Sequence, residues 1–127
     1  MKYVILIVLG VVCLGCVKDS PKPPEAALLN FPLQNSECTT GLNLNSTTSQ
    51  VEFRWQAGKF ATSYDLRVTN LSTTIPVTLN NISALSANVA LQKGVAYSWE
   101  VIARNTETEE SATSEQWMFY NAGSQTS

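Results

Sequence analysis

Short segments of alternating apolar and polar residues constrain this chain more than any other feature. Val51-Glu-Phe-Arg-Trp55 alternates strictly, and Tyr97-Ser-Trp-Glu-Val-Ile-Ala103 is the longest segment of this kind. A period of two places every second side chain on one face of a β-strand, whereas a helix needs a period of about 3.6. Comparable segments, separated by polar stretches, lie at 26–33, 64–68, 75–79, 87–91 and 117–120. The pattern predicts an all-β domain of about seven short antiparallel strands, packed as a sandwich.

The same alternation predicts which side chains form the core and which stay outside. The residues assigned to inner faces are Phe53, Trp55, Tyr64, Leu66, Tyr97, Trp99 and Trp117. The aromatic residues left outside are Phe31, Phe60 and Tyr120. Glu52 and Glu100 alternate with inner residues, so both are expected to face solvent. Pro76 lacks a backbone N–H and fits an edge strand.

The N-terminus carries a targeting signal rather than part of the fold. The apolar run at 3–15 is too short for a membrane-spanning helix, which needs about 20 residues, but it fits the hydrophobic part of a signal peptide. Leu14-Gly15-Cys16 resembles the end of a bacterial lipobox, with Cys13 at a place that usually holds an aliphatic residue. This resemblance implies a lipoprotein signal peptide at 1–15 and a lipid on Cys16. An ordinary secretory signal or a short uncleaved anchor is the alternative.

The lipobox resemblance also implies a location and a domain plan. We expect a mature chain bound to the bacterial cell envelope, at the outer membrane. The sequence does not predict whether the domain faces the periplasm or the cell surface. A proline-rich spacer follows at 16–25, because its three prolines favour extended geometry. The folded domain is predicted at 26–122, with a short tail at 123–127. Cys38 would be the remaining free thiol, in or near a loop, so we expect no internal disulfide; its role stays open.

Several motifs together resemble a known family. In chain order they are Phe53-x-Trp55, Tyr64-x-Leu66-x-Val68, Leu91-x5-Tyr97, Tyr97-x-Trp99-x-Val101-x-Ala103-x-Asn105, and Ser111 with Ser114-x-x-Trp117-x-Phe119. Their order and spacing resemble a fibronectin type III domain over almost the whole mature chain. The resemblance implies an immunoglobulin-like sandwich. It also implies that Leu91 and Tyr97 form a tyrosine corner.

Composition excludes several function classes. The chain contains no His, which removes catalysis of the Ser-His type and the commonest transition-metal ligand. Glu107, Glu109 and Glu110 lack the Asp and Gly spacing that wraps a loop around Ca²⁺. A net charge of −2 without a basic cluster argues against nucleic acid as a partner. We therefore expect no enzyme, no cofactor and no metal site.

The expected function is a membrane-anchored, non-catalytic binding, adhesion or scaffold module with a protein or glycan partner. One alternative is a carbohydrate-binding accessory lipoprotein of a polysaccharide uptake system, because flat aromatic rings stack on sugars. Another is a structural envelope protein without a discrete ligand. Exposed aromatic residues clustered on one face would favour the carbohydrate-binding alternative. An apolar patch on an edge would favour a protein partner. The long polar connection at 34–49, with an added edge strand at 41–45, is predicted to be the contact surface if one exists.

Overall fold

The computed structural model describes residues 20–124, and all regular secondary structure in this range is β-strand. The strands are β1 (Leu28–Phe31), β2 (Ser36–Cys38), β3 (Leu42–Asn43), β4 (Thr48–Gln56), β5 (Ser63–Asn70), β6 (Pro76–Ile82), β7 (Ser86–Gln92), β8 (Val95–Arg104), β9 (Ala112–Thr113) and β10 (Trp117–Asn121). Within residues 20–124 there is no helix of the length and apolarity that crossing a membrane requires. The predicted signal peptide and Cys16 lie outside the described residues.

The strands form two sheets packed face to face. In the first sheet, β4 is central, with β7 on one side and both β1 and β3 on the other. The second sheet has the order β2-β10-β8-β5-β6, and the short β9 also pairs with β8. This distribution of strands between two sheets is that of a fibronectin type III or immunoglobulin-like sandwich, so the predicted fold class is confirmed.

The first strand is split between the two sheets, which the sequence pattern did not predict. β1 pairs antiparallel with β4, while β2 pairs parallel with β10, where Phe119 lies opposite Ser36. The sandwich is therefore not wholly antiparallel. Because the chain crosses between sheets after Phe31, it borders both sheets on the same side of the molecule. We call this the closed side.

The connection predicted at 34–49 is not a plain loop. It contains β2 and β3, of which β3 confirms the predicted extra edge strand. Cys38, expected in or near a loop, is the last residue of β2, next to the loop at 39–41, and it is only 3 % exposed. Its side chain is buried because alternation in β2 directs it into the core cluster.

The core matches the predicted inner faces closely. The predicted residues that are buried are Phe53, Trp55, Tyr64, Leu66, Tyr97 and Trp99. The Phe53 and Trp99 rings meet edge to face at 5.0 Å, a favoured aromatic geometry. Trp117 is half-buried; it is the first residue of β10, before the part that pairs with β2, and the Trp99 ring packs edge to face against it. Phe31 is also half-buried, since the Arg54 guanidinium covers its ring at 4.7 Å.

Candidate interaction surfaces

The strands run between two poles, and the described chain enters at one and leaves at the other. The N-terminal pole comprises residues 22–25 and the loops at 57–62 and 105–111. The distal pole comprises 44–47, 71–75, 93–94 and 122–124. These two poles and the two sides of the sandwich are the candidate interaction surfaces described below.

The end of the predicted spacer, residues 22–25, is hydrogen-bonded to the two loops of the N-terminal pole. The Glu25 N–H donates to the Lys59 carbonyl at 2.8 Å. The Asn105 side-chain amide donates to the Lys22 carbonyl at 2.8 Å and to the Phe60 carbonyl at 2.9 Å. We call these contacts of residues 22–25 the tether contact. They determine where the spacer leaves the domain.

Gly58 makes the tether contact sterically possible. A β-carbon at Gly58 would lie 1.9 Å from the Glu25 carbonyl oxygen, far inside van der Waals contact. Only glycine lets the two backbones approach this closely. Lys22 adds a weaker contact, with its ammonium 5.7 Å from the centre of the Phe60 ring.

A buried asparagine, Asn121, forms hydrogen bonds that join the chain segments at the distal pole. The Asn121 side-chain oxygen accepts from the Ser49 hydroxyl at 3.1 Å and from the Gly123 N–H at 3.3 Å. Its amide donates to the Gln92 carbonyl at 2.9 Å. Asn121 is fully buried, and these bonds satisfy polar atoms that would otherwise be costly to bury. The end of β10 is thus held against β4 and the turn after β7.

The predicted tyrosine corner is present next to this asparagine. The Tyr97 hydroxyl accepts a hydrogen bond from the Gln92 N–H at 2.9 Å, and Leu91 is buried beside it. Burial raises the pKa of the Tyr97 phenol above its ordinary value, because the charged form is desolvated. The hydrogen bond from Gln92 offsets part of that effect.

Within residues 20–124, the exposed aromatic side chains do not gather on one surface. Phe60 is about half exposed at the N-terminal pole, while Tyr120 is exposed on the outer face of the second sheet, near the turn at 93–94. Phe31 and Trp117 lie at the closed side and are half-buried. A sugar stacks on flat aromatic rings that lie side by side. These aromatic rings lie on different surfaces and therefore do not form such a platform.

A concavity of about 470 Å³ borders β4 where β1 and β3 leave a gap. Its charged groups already have partners. Arg54 forms an ion pair with Glu52 at 3.0 Å and covers the Phe31 ring. Glu100, the other glutamate that was predicted to face solvent, also forms an ion pair, with its carboxylate 3.4 Å from the Arg67 guanidinium. In the described residues no group of three or more His, Cys, Asp or Glu is placed to hold a metal ion.

The side opposite the closed side is open. There β6 ends the second sheet and β7 ends the first, so each strand has one unpaired edge. Between them lies a groove of about 310 Å³, and its lining includes Ile75, Val77 and Leu91. Ile75 is 64 % exposed and Val77 is 41 % exposed. We call this surface the open side; it is an apolar patch on an edge, the feature expected for protein contact.

Comparison with known proteins returns structural likeness only. No protein-family model matches the chain, and no curated protein sequence matches it. An Fn3-like protein from Clostridium thermocellum is similar in structure, with a TM-score of 0.47 and 18 % identity over 81 % of this chain and 95 % of that chain. The FN5 domain of Drosophila Lar is similar with a TM-score of 0.43 and 18 % identity, over 68 % of this chain and 94 % of that chain.

Sequence reasoning missed the residues that organise the two poles. Gly58 and Asn121 were not singled out, and Asn105 was named only as the last position of a family motif, without a role. One local signal was available for Asn105, since its side-chain oxygen accepts from the Glu107 and Thr108 amides, as asparagine does at the start of many turns. Its bond to Lys22, 83 residues away, left no such signal.

Proposed function

We propose that this protein is a membrane-anchored, non-catalytic binding or scaffold module of the bacterial cell envelope, attached through a lipid on Cys16. The observation that carries the proposal is the tether contact. It fixes the point where the spacer leaves the domain at the N-terminal pole. An anchor at Cys16 therefore directs that pole towards the membrane and the distal pole away from it.

The rest of the surface supports binding rather than chemistry. The interior is filled by aromatic and aliphatic side chains, and the concavities described above are open grooves at the surface. The apolar open side favours a protein partner over a sugar, because the exposed aromatic residues are scattered.

The anchor is tested by mass spectrometry of the mature protein from a bacterial host. We expect an N-terminal Cys16 carrying acyl chains, and we expect the Cys16→Ser variant to lose both the acyl mass and membrane association. Cys13→Leu is the matched control, because Cys13 stands where the lipobox usually holds an aliphatic residue, so this change should leave lipidation intact. An unmodified Cys16, or a mature chain that starts elsewhere, would contradict the proposal.

A further inference from the structure

The open side carries no charge at all. None of the chain's Lys, Arg, Asp or Glu residues lies within 68–92, the stretch that runs from the end of β5 through β6 and β7. Natural proteins usually protect edge strands with charged side chains, since an unprotected edge invites pairing with another strand. Here neither of the two neighbouring unpaired edges carries a charged residue.

The core is also incomplete on this side. Val77 lies opposite Val68 in the β5–β6 register and so faces inward, yet Val68 is fully buried while Val77 is 41 % exposed. Ile75 shares this inner face and is 64 % exposed. The cause is geometric: the first sheet ends at β7 and provides no strand to cover the outer half of β6.

The unpaired backbone groups of β6 can be assigned from hydrogen-bond alternation. The Asn70 N–H donates to the Ile75 carbonyl at 3.1 Å, while the Ile75 N–H donates to the Thr73 hydroxyl at 3.2 Å. By alternation along the strand, Val77 directs its N–H and carbonyl towards β5. Thr78 therefore directs its N–H and carbonyl outward. Pro76 is tolerated because its missing N–H would also have pointed outward.

The same reasoning assigns the edge of β7. The Trp55 N–H donates to the Leu85 carbonyl at 3.0 Å, so alternate residues from Leu85 onward bond to β4. Asn88 and Ala90 then direct their N–H and carbonyl groups away from β4. The open side thus presents two short rows of unpaired donors and acceptors with an apolar groove between them.

We propose that two copies of this chain pair through their open sides as a twofold dimer. A twofold axis parallel to the strands, placed beside the open side, brings β6 of one copy next to β7 of the other in both sheets. The axis leaves strand directions unchanged, and β6 runs opposite to β7 within one copy. Both new pairings are therefore antiparallel, and each sheet continues across the interface.

Charge and packing favour this partner. Each copy has a net charge of −2, but the paired surfaces are uncharged, so no like charges face each other. Ile75 and Val77 of one copy meet the same residues of the second copy between the joined sheets, which completes the missing core. The axis also keeps both N-terminal poles at the same end. The dimer thus suits two chains anchored in one membrane, but the inference stands without the anchor.

The first test is a charge placed in the interface. We expect the full mature chain, purified in detergent, to sediment as a concentration-dependent dimer. Val77→Lys should raise the dimer dissociation constant by at least about tenfold, because two buried ammonium groups would face each other. Leu28→Lys is the matched control: Leu28 is 63 % exposed on the closed side, and its substitution should change the constant by less than about twofold. A wild-type chain that stays monomeric in detergent and on vesicles would overturn the proposal.

The second test determines the geometry. Thr78→Cys protein is mixed with Asn88→Cys or Ala90→Cys protein under mild oxidation, and the disulfide-linked products are identified by mass. We expect mixed disulfides between position 78 and one of the β7 positions, whose identity gives the register. Efficient linkage of Thr78→Cys chains to each other, without mixed products, would mean that β6 pairs with β6 and would overturn the twofold arrangement.

Discussion

The two sides of the sandwich differ in whether the edges of their sheets are covered. On the closed side, the chain crosses from β1 to β2 and so borders both sheets with its own backbone. On the open side, β6 and β7 end their sheets with unpaired edges, and inward-facing apolar side chains remain exposed. The difference is that the chain's own backbone completes one side, while the other side exposes two strand edges and apolar side chains.

Removal of a core side chain next to the closed side should have the largest effect. Trp55→Ala is expected to lower the free energy of unfolding by about 3–5 kcal/mol, because a buried indole opposite Leu29 of β1 is lost. Val77→Ala on the open side should cost less than about 1 kcal/mol, since Val77 is 41 % exposed in one copy and its truncation loses less buried surface. Denaturant unfolding of dilute protein checks both. Equal losses would contradict the contrast between the sides.

A β-carbon at Gly58 should break the tether contact. Gly58→Val is expected to cost about 1–3 kcal/mol, because the new side chain overlaps the Glu25 carbonyl. Hydrogen exchange should show that the Glu25 amide loses its protection. Ala57→Val, at the exposed neighbouring position, should leave this amide protected. Retained protection in Gly58→Val would show that the spacer is not held at this loop.

Two asparagines that begin similar turns should differ in their effect. Asn105→Ala is expected to cost about 1–2 kcal/mol, since its amide also joins Lys22 and Phe60 across the N-terminal pole. Asn45→Ala should cost about 0.5 kcal/mol, because the Asn45 side-chain oxygen accepts hydrogen bonds only from the neighbouring Thr47. Thermal unfolding of the two variants measures the difference. A larger loss for Asn45→Ala would contradict the importance of the tether contact.

The smallest effect is expected at high pH. The pKa of Tyr97 is raised in the folded state by burial, so the folded state favours the protonated phenol. That contribution is fully present below the ordinary tyrosine pKa of about 10 and is lost as the pH rises through the folded-state value. Stability should thus fall above about pH 10, and Tyr97→Phe should weaken this fall. An unchanged pH profile in Tyr97→Phe would contradict it.

Local patterns predicted much of this architecture. Alternation identified the inner positions of Phe53, Trp55 and Trp99, because the faces of a strand follow directly from residue parity. The tyrosine corner of Leu91 and Tyr97 was expected only because the motifs resemble a fibronectin type III domain. Pro76 likewise indicated an edge strand from its missing N–H.

Features that depend on distant partners were not predictable in this way. The pairing of β2 with β10 joins three-residue segments about 80 residues apart, and neither has a pattern that identifies the other. For the same reason Cys38 was placed in or near a loop. The uncharged stretch at 68–92 was visible in the sequence, but its meaning required knowing that β6 and β7 end their sheets on the same side.

The parallel pairing of β2 with β10 has a mechanical consequence. The described chain enters at one pole and leaves β10 at the other, so a pull on its two ends acts along the strands. Force in that direction shears the β2–β10 hydrogen bonds together, whereas a pull across a sheet would open them one after another. A body built in this way resists stretching between an attachment at one end and a load at the other.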